Sequence, residues 1–376
     1  MREVVMAGAG LHRYGVFPDK TYVDMGVDAI RGALQDAGFT WADIDAVYCG
    51  TVRLGMSAGH NICLSMGTTG LAITNVENAS ASGSSAFREA YLSVAAGEHE
   101  VVLALGVDKL VERPEQFLQE DADGSANEDR KLPIYQFADM ARYYMDTHGV
   151  TRDQLAQVSV KSHYNASLNP YAHFQKAATL EQVHQARMVA DPLTVLHCCP
   201  WDEGAAAVIV CSREAATKRL NVSAPTPVIA ASVLQSTPSE EDNVLFSADL
   251  TRRTVQRAYE RAGCGPEDLQ LVEMHDAFTI EELVYYEALG LAPEGEGARL
   301  IQDAATEIQG RIPVNTSGGL ISMGHPLGPT GLGHIAEILW QMRGQAGARQ
   351  IPRSPNVALA HMVGAGGVCI IHIFRH

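Results

Sequence analysis

Positive charge is scarce in this chain of 376 residues, which has 28 lysines and arginines against 44 aspartates and glutamates. The formal net charge of −16 at pH 7 argues against binding to nucleic acid or to a membrane surface. No apolar run approaches the roughly 18 residues of a membrane span. The N-terminus, Met-Arg-Glu-Val-Val-Met-Ala-Gly, is typical of a first strand rather than of a signal peptide. We therefore expect a cytoplasmic protein.

The chain also lacks the usual patterns for disulfides, metals and dinucleotides. Its seven cysteines are scattered without a Cys-x-x-Cys pair, and most lie in apolar stretches, which favours buried reduced thiols. We expect the adjacent Cys198 and Cys199 to serve packing. Gly8-Ala-Gly10 does not complete a dinucleotide fingerprint, because no glycine follows three residues later. The sequence predicts no metal site and no tightly bound cofactor.

An internal repeat organises the chain. Three matches occur in the same order: 29–38 with 254–263, 83–92 with 328–337, and 101–106 with 357–362. The first is an amphipathic helix that ends at a glycine, and the last is an apolar strand. This alternation predicts mainly parallel sheets covered by helices, in two halves that pack about a pseudo-twofold axis. In this register Ser80 lies opposite His325, so the two residues are expected to meet at the centre.

We divide the chain into an N-terminal half, 1–222, and a C-terminal half, 223–376, with Ala224-Pro-Thr-Pro227 as the linker. The polar region from about 112 to 190 interrupts the first half and contains one predicted helix, Tyr135–His148. Its composition is typical of an insertion that covers an active site.

Ser80 stands in the turn Asn75-Val-Glu-Asn-Ala-Ser80-Ala-Ser-Gly83, between an apolar stretch and a helix. Such a turn presents a nucleophile at a helix N-terminus, where unpaired N–H groups and the helix dipole stabilise developing negative charge. An alcohol ionises far less readily than a thiol, so Ser80 needs a neighbouring base.

Three further motifs place polar residues at strand ends or helix starts, where parallel α/β folds carry their ligand chemistry. They are His275-Asp-Ala-Phe278, the run from Asn315 through Ser317-Gly318 to Gly324-His325-Pro326, and His361 followed by Gly364-Ala-Gly366-Gly367. Together with the serine turn, these motifs resemble those of the thiolase superfamily, in family order and over nearly the whole chain. The closest resemblance is to sterol-carrier-protein-2-type thiolases, whose His-Asp-x-Phe motif replaces Asn-Glu-Ala-Phe.

The resemblance implies the five-layered αβαβα thiolase fold, built from two βαβαβαββ halves, and coenzyme A as a substrate. Ser80 occupies the nucleophile position, where the family has cysteine. His325 would activate it and contribute to one oxyanion hole with His275, and the backbone of Ser80 and of the glycine loop would form a second. We expect the substrate to be bound by a further set of residues: Gly364, Gly366, Ser317, Gly318 and, from the insertion, His163.

Neither cysteine that assists proton transfer in the family is present, since Ala277 and His361 stand at those positions. His361 could replace the proton shuttle, because histidine titrates near neutral pH. The first hypothesis is an acyltransferase that acts on a 3-oxoacyl-CoA. The second is a retro-aldolase that cleaves a 3-hydroxyacyl-CoA without a covalent intermediate. A third is a non-catalytic scaffold for a DUF35 OB-fold subunit, and the resemblance also implies a homodimer.

Overall fold

The computed structural model describes residues 2–67, 70–110, 133–219, 226–237, 248–365 and 367–376. The first half and its insertion contain these elements in chain order: β1 (Val4–Gly15), α1 (Tyr22–Ala37), β2 (Ala46–Gly50), α2 (Ala58–Met66), β3 (Ala72–Val76), α3 (Ser82–Ala96), β4 (Val101–Asp108), α4 (Pro133–His148), α5 (Arg152–Ser167), α6 (Leu180–Gln185), β5 (Met188–Ala190), β6 (Leu193–Thr194), β7 (Glu203–Ser212) and α7 (Arg213–Arg219).

The second half repeats this pattern in a shorter form. Its elements are β8 (Val228–Ser236), α8 (Ala248–Ala262), β9 (Leu271–Met274), α9 (Thr279–Ala288), α10 (Gly297–Gln302), a single π-helical turn (Gly319–Met323), α11 (Thr330–Met342), β10 (Val357–Gly364) and β11 (Val368–Arg375).

Nine of the described strands form one mixed sheet in the order β3-β2-β4-β7-β1-β8-β11-β10-β9. Only three of its eight strand pairings, β2 with β3, β2 with β4 and β9 with β10, are parallel, so the expectation of mainly parallel sheets is wrong. The order from β3 to β1 mirrors the order from β9 back to β8, so β1, β2, β4 and β7 correspond to β8, β9, β10 and β11. The two portions join edge to edge where Val5 pairs with Val228. This continuity was not predicted from the sequence.

The C-terminal counterpart of β3 is reduced to one bridge, between Val272 and Val314. Pro313 precedes Val314 and offers no N–H, and Asn315 follows in a left-handed conformation with φ 55°. These two neighbours prevent the extended segment from growing into a strand.

The five predicted layers are confirmed by the distribution of the cores. Helices α1 and α2 cover the outer face of the first half, and α8 and α9 cover the outer face of the second. Helices α3 and α11 lie between the two halves in a shared core. All residues of α11 except Trp340 are buried, including the polar His334, Glu337 and Gln341, as expected for a helix enclosed between the two halves. The second repeat match thus identifies the central helix pair.

The starts of the two central helices approach each other at glycines. A Cβ atom placed on Gly83 would lie 2.4 Å from the carbonyl oxygen of Gly328, and one on Gly106 would lie 2.6 Å from the same oxygen. Only glycine permits this approach. It brings the turn before α3 against the loop before α11.

The helix predicted at Tyr135–His148 is found as α4, two residues longer at its start. The part of the insertion from 112 to 132 lies outside the described residues, as does the predicted division at 222/223, which therefore remains a prediction. Within the part of the chain that is described, no helix is both long and apolar enough to cross a membrane.

Candidate active site

Ser80 lies in a tight turn directly before α3, whose N-cap is Ala81. Ala79 adopts a left-handed conformation with φ 48°, which alanine rarely tolerates. The Ser82 hydroxyl holds the turn, because it donates to the Ala79 carbonyl (2.6 Å) and accepts from the Asn78 N–H (2.9 Å). The small residues of this motif are therefore required by the turn that presents Ser80.

The predicted meeting of Ser80 and His325 is present, with Ser80 Oγ 3.1 Å from His325 Nε2. On the other side of the ring, Nδ1 lies 3.0 Å from Thr330 Oγ1. The single hydroxyl proton of Thr330 is donated to the Pro326 carbonyl, 2.6 Å away. Thr330 must therefore accept from Nδ1–H, which leaves the Nε2 lone pair of a neutral imidazole facing Ser80. This arrangement suits a general base.

Two features hold His325 in its neutral form and in place. Burial lowers the pKa of His325 well below its usual value, and the nearby His275 and Arg53 act in the same direction. The backbone N–H of His325 donates to Asp202 Oδ1, at 3.0 Å. Burial raises the pKa of Asp202 to about 6. Asp202 thus positions the histidine through its backbone.

His275 lies beside His325, with the two rings edge to face and their centroids 5.3 Å apart. Its Nδ1 lies 3.0 Å from Glu281 Oε1, and the other Glu281 oxygen accepts the Phe278 N–H. This carboxylate fixes the ring, leaving Nε2 without a hydrogen-bond partner among the described residues. The adjacent Asp276 does not pair with His275; it accepts the Leu320 N–H at 2.6 Å.

His361 does not join this group. It is fully buried, with Nε2 3.0 Å from Thr251 Oγ1 and its ring 4.7 Å from that of Tyr285. Along β10 it shares a face with Leu359, in the outer core, whereas Ser80 and His325 belong to the central layer. Burial lowers the pKa of His361 well below its usual value. Its position gives no support to a role as proton shuttle.

The glycine loop contacts the serine turn at Gly364, where a Cβ atom would lie 2.3 Å from the Asn78 carbonyl oxygen. Gly366, the other predicted binding residue of this loop, lies outside the described residues. The backbone contact at Gly364 is compatible with the expected oxyanion hole, which remains a prediction.

Ser317 and Gly318 hold the loop before the π-helical turn. The N–H and hydroxyl of Ser317 both donate to Glu273, at 3.1 and 2.6 Å, and its carbonyl accepts from Asn169. Gly318 packs on α5, where a Cβ atom would lie 2.6 Å from that of Ala166. The structure therefore places both in the frame of the site and gives Ser317 no spare polar group for a substrate.

His163, on α5, is 4% exposed, and its Nε2 has no hydrogen-bond partner in the described part of the chain. Burial lowers the pKa of this imidazole to about 4, so it is neutral. Its ring lies 5.5 Å from that of Phe174, whose N–H donates to Ser322 of the π-helical turn. His163 thus approaches the segment that leads to His325, and its contact with substrate remains a prediction.

Sequence reasoning missed several residues that build the site. Asp108 accepts four hydrogen bonds, from Thr51 and the backbone N–H groups of Val52, Arg53 and Gly328. Cys199 donates its N–H to the carbonyl of Ala277, at 2.8 Å, and burial raises the pKa of its thiol well above the usual value. Asp202 and Glu281 complete the group. They come from separate elements, and none of them was assigned a role in the site from the sequence. Across the described residues, no cluster of side chains suits a metal ion.

Comparison with known proteins agrees with this geometry. Residues 4–214 match the family "Thiolase, N-terminal domain" and residues 230–373 match "Thiolase C-terminal domain-like". An acetyl-CoA acetyltransferase of Methanothermobacter thermautotrophicus is 39% identical over the full length of both chains. Sterol carrier protein 2 of Rattus norvegicus is 34% identical over 99% of this chain and 72% of its own. The benzoylsuccinyl-CoA thiolase subunit BbsB of Thauera aromatica is 36% identical over 100% of this chain and 97% of its own.

Solved structures show the same fold. The Ltp2-ChsH2(DUF35) aldolase superposes with a TM-score of 0.84 at 24% identity, over 98% of this chain and 97% of that one. Human mitochondrial 3-ketoacyl-CoA thiolase in complex with CoA gives a TM-score of 0.73 at 18% identity, over 100% and 98%. The family matches span both halves, and several relatives exceed 30% identity over nearly the whole chain. The chain belongs to the thiolase family.

Proposed function

We propose that this protein is an acyltransferase that makes or breaks a carbon–carbon bond in a 3-oxoacyl-CoA, with Ser80 as the residue that carries the acyl group. The observation that carries the proposal is the 3.1 Å contact between Ser80 Oγ and the unprotonated Nε2 of His325. The relatives named above include an acetyl-CoA acetyltransferase and a thiolase, which supports the reaction class.

In the cleavage direction, Ser80 Oγ attacks the 3-oxo carbon while His325 Nε2 takes the hydroxyl proton. The tetrahedral oxyanion collapses, the bond between C2 and C3 breaks, and the electron pair leaves on the enolate of the shortened acyl-CoA. The imidazolium returns its proton to C2 of that enolate. His325 then deprotonates the thiol of free CoA, and the thiolate attacks the Ser80 ester. As the new acyl-CoA is released, the imidazolium returns this proton to Ser80 Oγ.

The surroundings favour this route for an alcohol. The Ser80 hydroxyl and His325 are each less than a tenth exposed, so charge–dipole interactions there are stronger than in water. The N-terminus of α3 stabilises negative oxygen beside Ser80. His275, fixed by Glu281, presents its free Nε2 next to His325, where it would bind the thioester oxygen.

A retro-aldolase is the second candidate. The observation that favours it is the pair of His275 and Glu281, since an imidazole oriented by a buried carboxylate suits removal of a proton from a substrate hydroxyl. The bond between C2 and C3 of a 3-hydroxyacyl-CoA would then break to give a carbonyl compound and the same enolate. This route needs neither an acyl-enzyme nor a cysteine.

Intact-protein mass spectrometry separates the two candidates. The protein is incubated with acetoacetyl-CoA or with 3-hydroxybutyryl-CoA, and the small products are measured in parallel. An acetyl adduct at Ser80 that free CoA discharges, and that Ser80→Ala lacks, supports the acyltransferase. Acetaldehyde from the hydroxy substrate, without an adduct, supports the aldolase. If neither 3-oxoacyl-CoA nor 3-hydroxyacyl-CoA thioesters react at any of several acyl chain lengths, both candidates are excluded.

We also propose that the protein forms a homodimer and binds a DUF35 subunit. The outermost strand β3 is largely exposed, and Leu64 on α2, which packs against β3, is 48% exposed. Uncovered edge strands favour pairing with another chain. Light scattering coupled to gel filtration, with and without a DUF35 protein from the same genome, tests both assemblies. A monomer in both runs contradicts them.

A further inference from the structure

Arg53 carries a buried donor that the described residues leave unused. The residue lies on the turn after β2, and its Nη1 is buried without a hydrogen-bond partner in the described part of the chain. No carboxylate of the described residues lies within ion-pair distance of it. Burial lowers the pKa of its guanidinium, although the group remains a cation at any working pH. A buried, unpaired charged donor is costly, so its persistence calls for a partner.

The backbone of Arg53 is fixed to the loop that carries His325. Asp108 Oδ1 accepts the Arg53 N–H at 2.9 Å, and Asp108 Oδ2 accepts the Gly328 N–H at 2.6 Å. One carboxylate therefore ties the turn after β2 to the Gly-His-Pro-Leu-Gly loop. This connection holds the arginine at a set position relative to the reacting pair.

The guanidinium end is held as well. It stacks on the ring of Trp201, with Cζ 3.9 Å from the ring centroid. Trp201 is followed by Asp202, whose Oδ1 accepts the His325 N–H. Stacking fixes the plane of a guanidinium while leaving its edge free for hydrogen bonds. Arg53 is thus held at both ends beside His325, and no described residue accepts a hydrogen bond from its free edge.

The carboxylates nearest to Arg53 are already occupied. Asp108 accepts four hydrogen bonds, and Asp202 is engaged by the backbone of His325 and by His173 Nδ1. The chain has a net charge of −16, yet its described residues provide no ion pair for Arg53. A planar anion with two oxygens matches the free edge of a guanidinium.

Resting on the acyl-CoA activity proposed above, we propose that Arg53 binds a carboxylate at the far end of the acyl group. The substrate is then the monothioester of a dicarboxylic acid rather than a plain fatty acyl-CoA. In this assignment Ser80 and His325 act on the carbon chain next to the thioester, and Arg53 selects the acid at its other end.

Succinyl-CoA and butyryl-CoA form a matched pair of probes, because they differ mainly by a carboxylate in place of a methyl group. Glutaryl-CoA and valeryl-CoA form a second pair, one carbon longer. Dissociation constants are measured by calorimetry for wild type, Arg53→Gln and Arg53→Lys. Arg299→Gln serves as the control, because the Arg299 side chain is 70% exposed and, among the described residues, forms ion pairs only with Glu296 and Asp303, the cap residues of its own helix. Free CoA is titrated in parallel.

We expect wild type to bind the acid of at least one pair more than tenfold tighter than its neutral partner. Arg53→Gln should remove this preference and change the dissociation constant of the neutral probe less than twofold. Arg53→Lys should retain part of the preference, and Arg299→Gln should leave it intact.

Equal binding of acid and neutral probes by wild type overturns the inference. So does an Arg53→Gln variant that weakens both probes or free CoA equally, because Arg53 then serves the thioester, CoA or the fold. Binding of neutral acyl-CoA with no acid preference contradicts this inference alone, whereas no binding of any thioester contradicts the proposed function as well.

Discussion

Ser80 and His325 are separated by 245 positions in the sequence, yet their side chains are in contact, with Oγ 3.1 Å from Nε2. Each lies just before one of the two central helices, at matching places of the internal repeat. The pair is therefore a product of the pseudo-twofold symmetry, which brings the two helix starts to one point.

Replacing His325 by alanine is expected to reduce turnover by at least a thousandfold, whichever of the two enzyme candidates is correct. Both reactions need the proton acceptor or the enolate partner that this imidazole supplies, and positioned acid–base groups contribute roughly 10²–10⁴-fold. Steady-state kinetics with the best substrate from the mass-spectrometry panel measures the effect. His60→Ala, at an exposed site on α2, is the control. A His325→Ala enzyme of near-normal activity would exclude both candidates.

The sequence was sufficient to predict this pair because it depends on repeat register and small-residue turns, which are local patterns. The partner of His275 could not be predicted in the same way. Glu281 reaches back over the turn between β9 and α9, whereas the adjacent Asp276 side chain turns to Leu320. Proximity in the sequence therefore does not identify the carboxylate that contacts His275.

The sequence also could not show which face of a strand points towards the central layer. Alternation along β10 puts His361 with Leu359, but only the packing of α8 and α9 decides which face is central. Arg53 and Asp108 belong to no motif, and their roles follow from contacts between distant segments. The sequence does not show which side chains from different strands, helices and loops come together in the folded protein.

Ser80→Cys is expected to accelerate acyl transfer at least tenfold if the protein is an acyltransferase, since a thiol next to a neutral imidazole ionises far more readily than an alcohol. The variant should also become sensitive to iodoacetamide. For a retro-aldolase, the substitution should bring no gain. Rates of thiolysis of acetoacetyl-CoA by wild type, Ser80→Cys and Ser80→Ala give the answer. A cysteine variant slower than wild type would contradict a covalent role for this position.

Gly83→Ala is expected to destabilise the protein by about 1–3 kcal/mol, because the new methyl group meets the Gly328 carbonyl oxygen, 2.4 Å from its ideal position. Gly55→Ala is the matched control, since no heavy atom lies within 4 Å of a Cβ there. Urea denaturation of both variants gives the free energies of unfolding. If Gly83→Ala proves no less stable than Gly55→Ala, the two central helix starts do not approach as described.

The free energy of unfolding should decrease as the pH rises because of Glu273, whose pKa is raised to about 8 by burial and by the nearby Glu337. The folded state holds this proton above the unfolded pKa, so the contribution is complete below about pH 4.5 and is lost as pH rises through 8. Glu273→Gln cannot titrate and should lose less stability between pH 5 and pH 9 than wild type. Urea denaturation at several pH values measures this difference, with the exposed Glu98→Gln as control. Parallel pH curves for wild type and Glu273→Gln would contradict it.

Asp276 belongs to the His275-Asp-Ala-Phe278 motif, and Glu281 lies just beyond it. The two residues should respond differently to replacement by the corresponding amide. Glu281→Gln keeps an acceptor for His275 but removes the carboxylate that orients and polarises the ring, so we expect kcat to fall about ten- to a hundredfold with little change in KM. Burial and the nearby Glu282 raise the pKa of Asp276 well above its usual value, which favours the uncharged form that asparagine resembles. Asp276→Asn should therefore retain at least a third of the activity.

Steady-state kinetics of Glu281→Gln, Asp276→Asn and Glu281→Asp provide the measurement, and Glu281→Asp should recover part of the activity lost in Glu281→Gln. If Asp276→Asn loses as much activity as Glu281→Gln, then Asp276 acts on His275 in solution, and the pairing described here is not the one that supports the reaction.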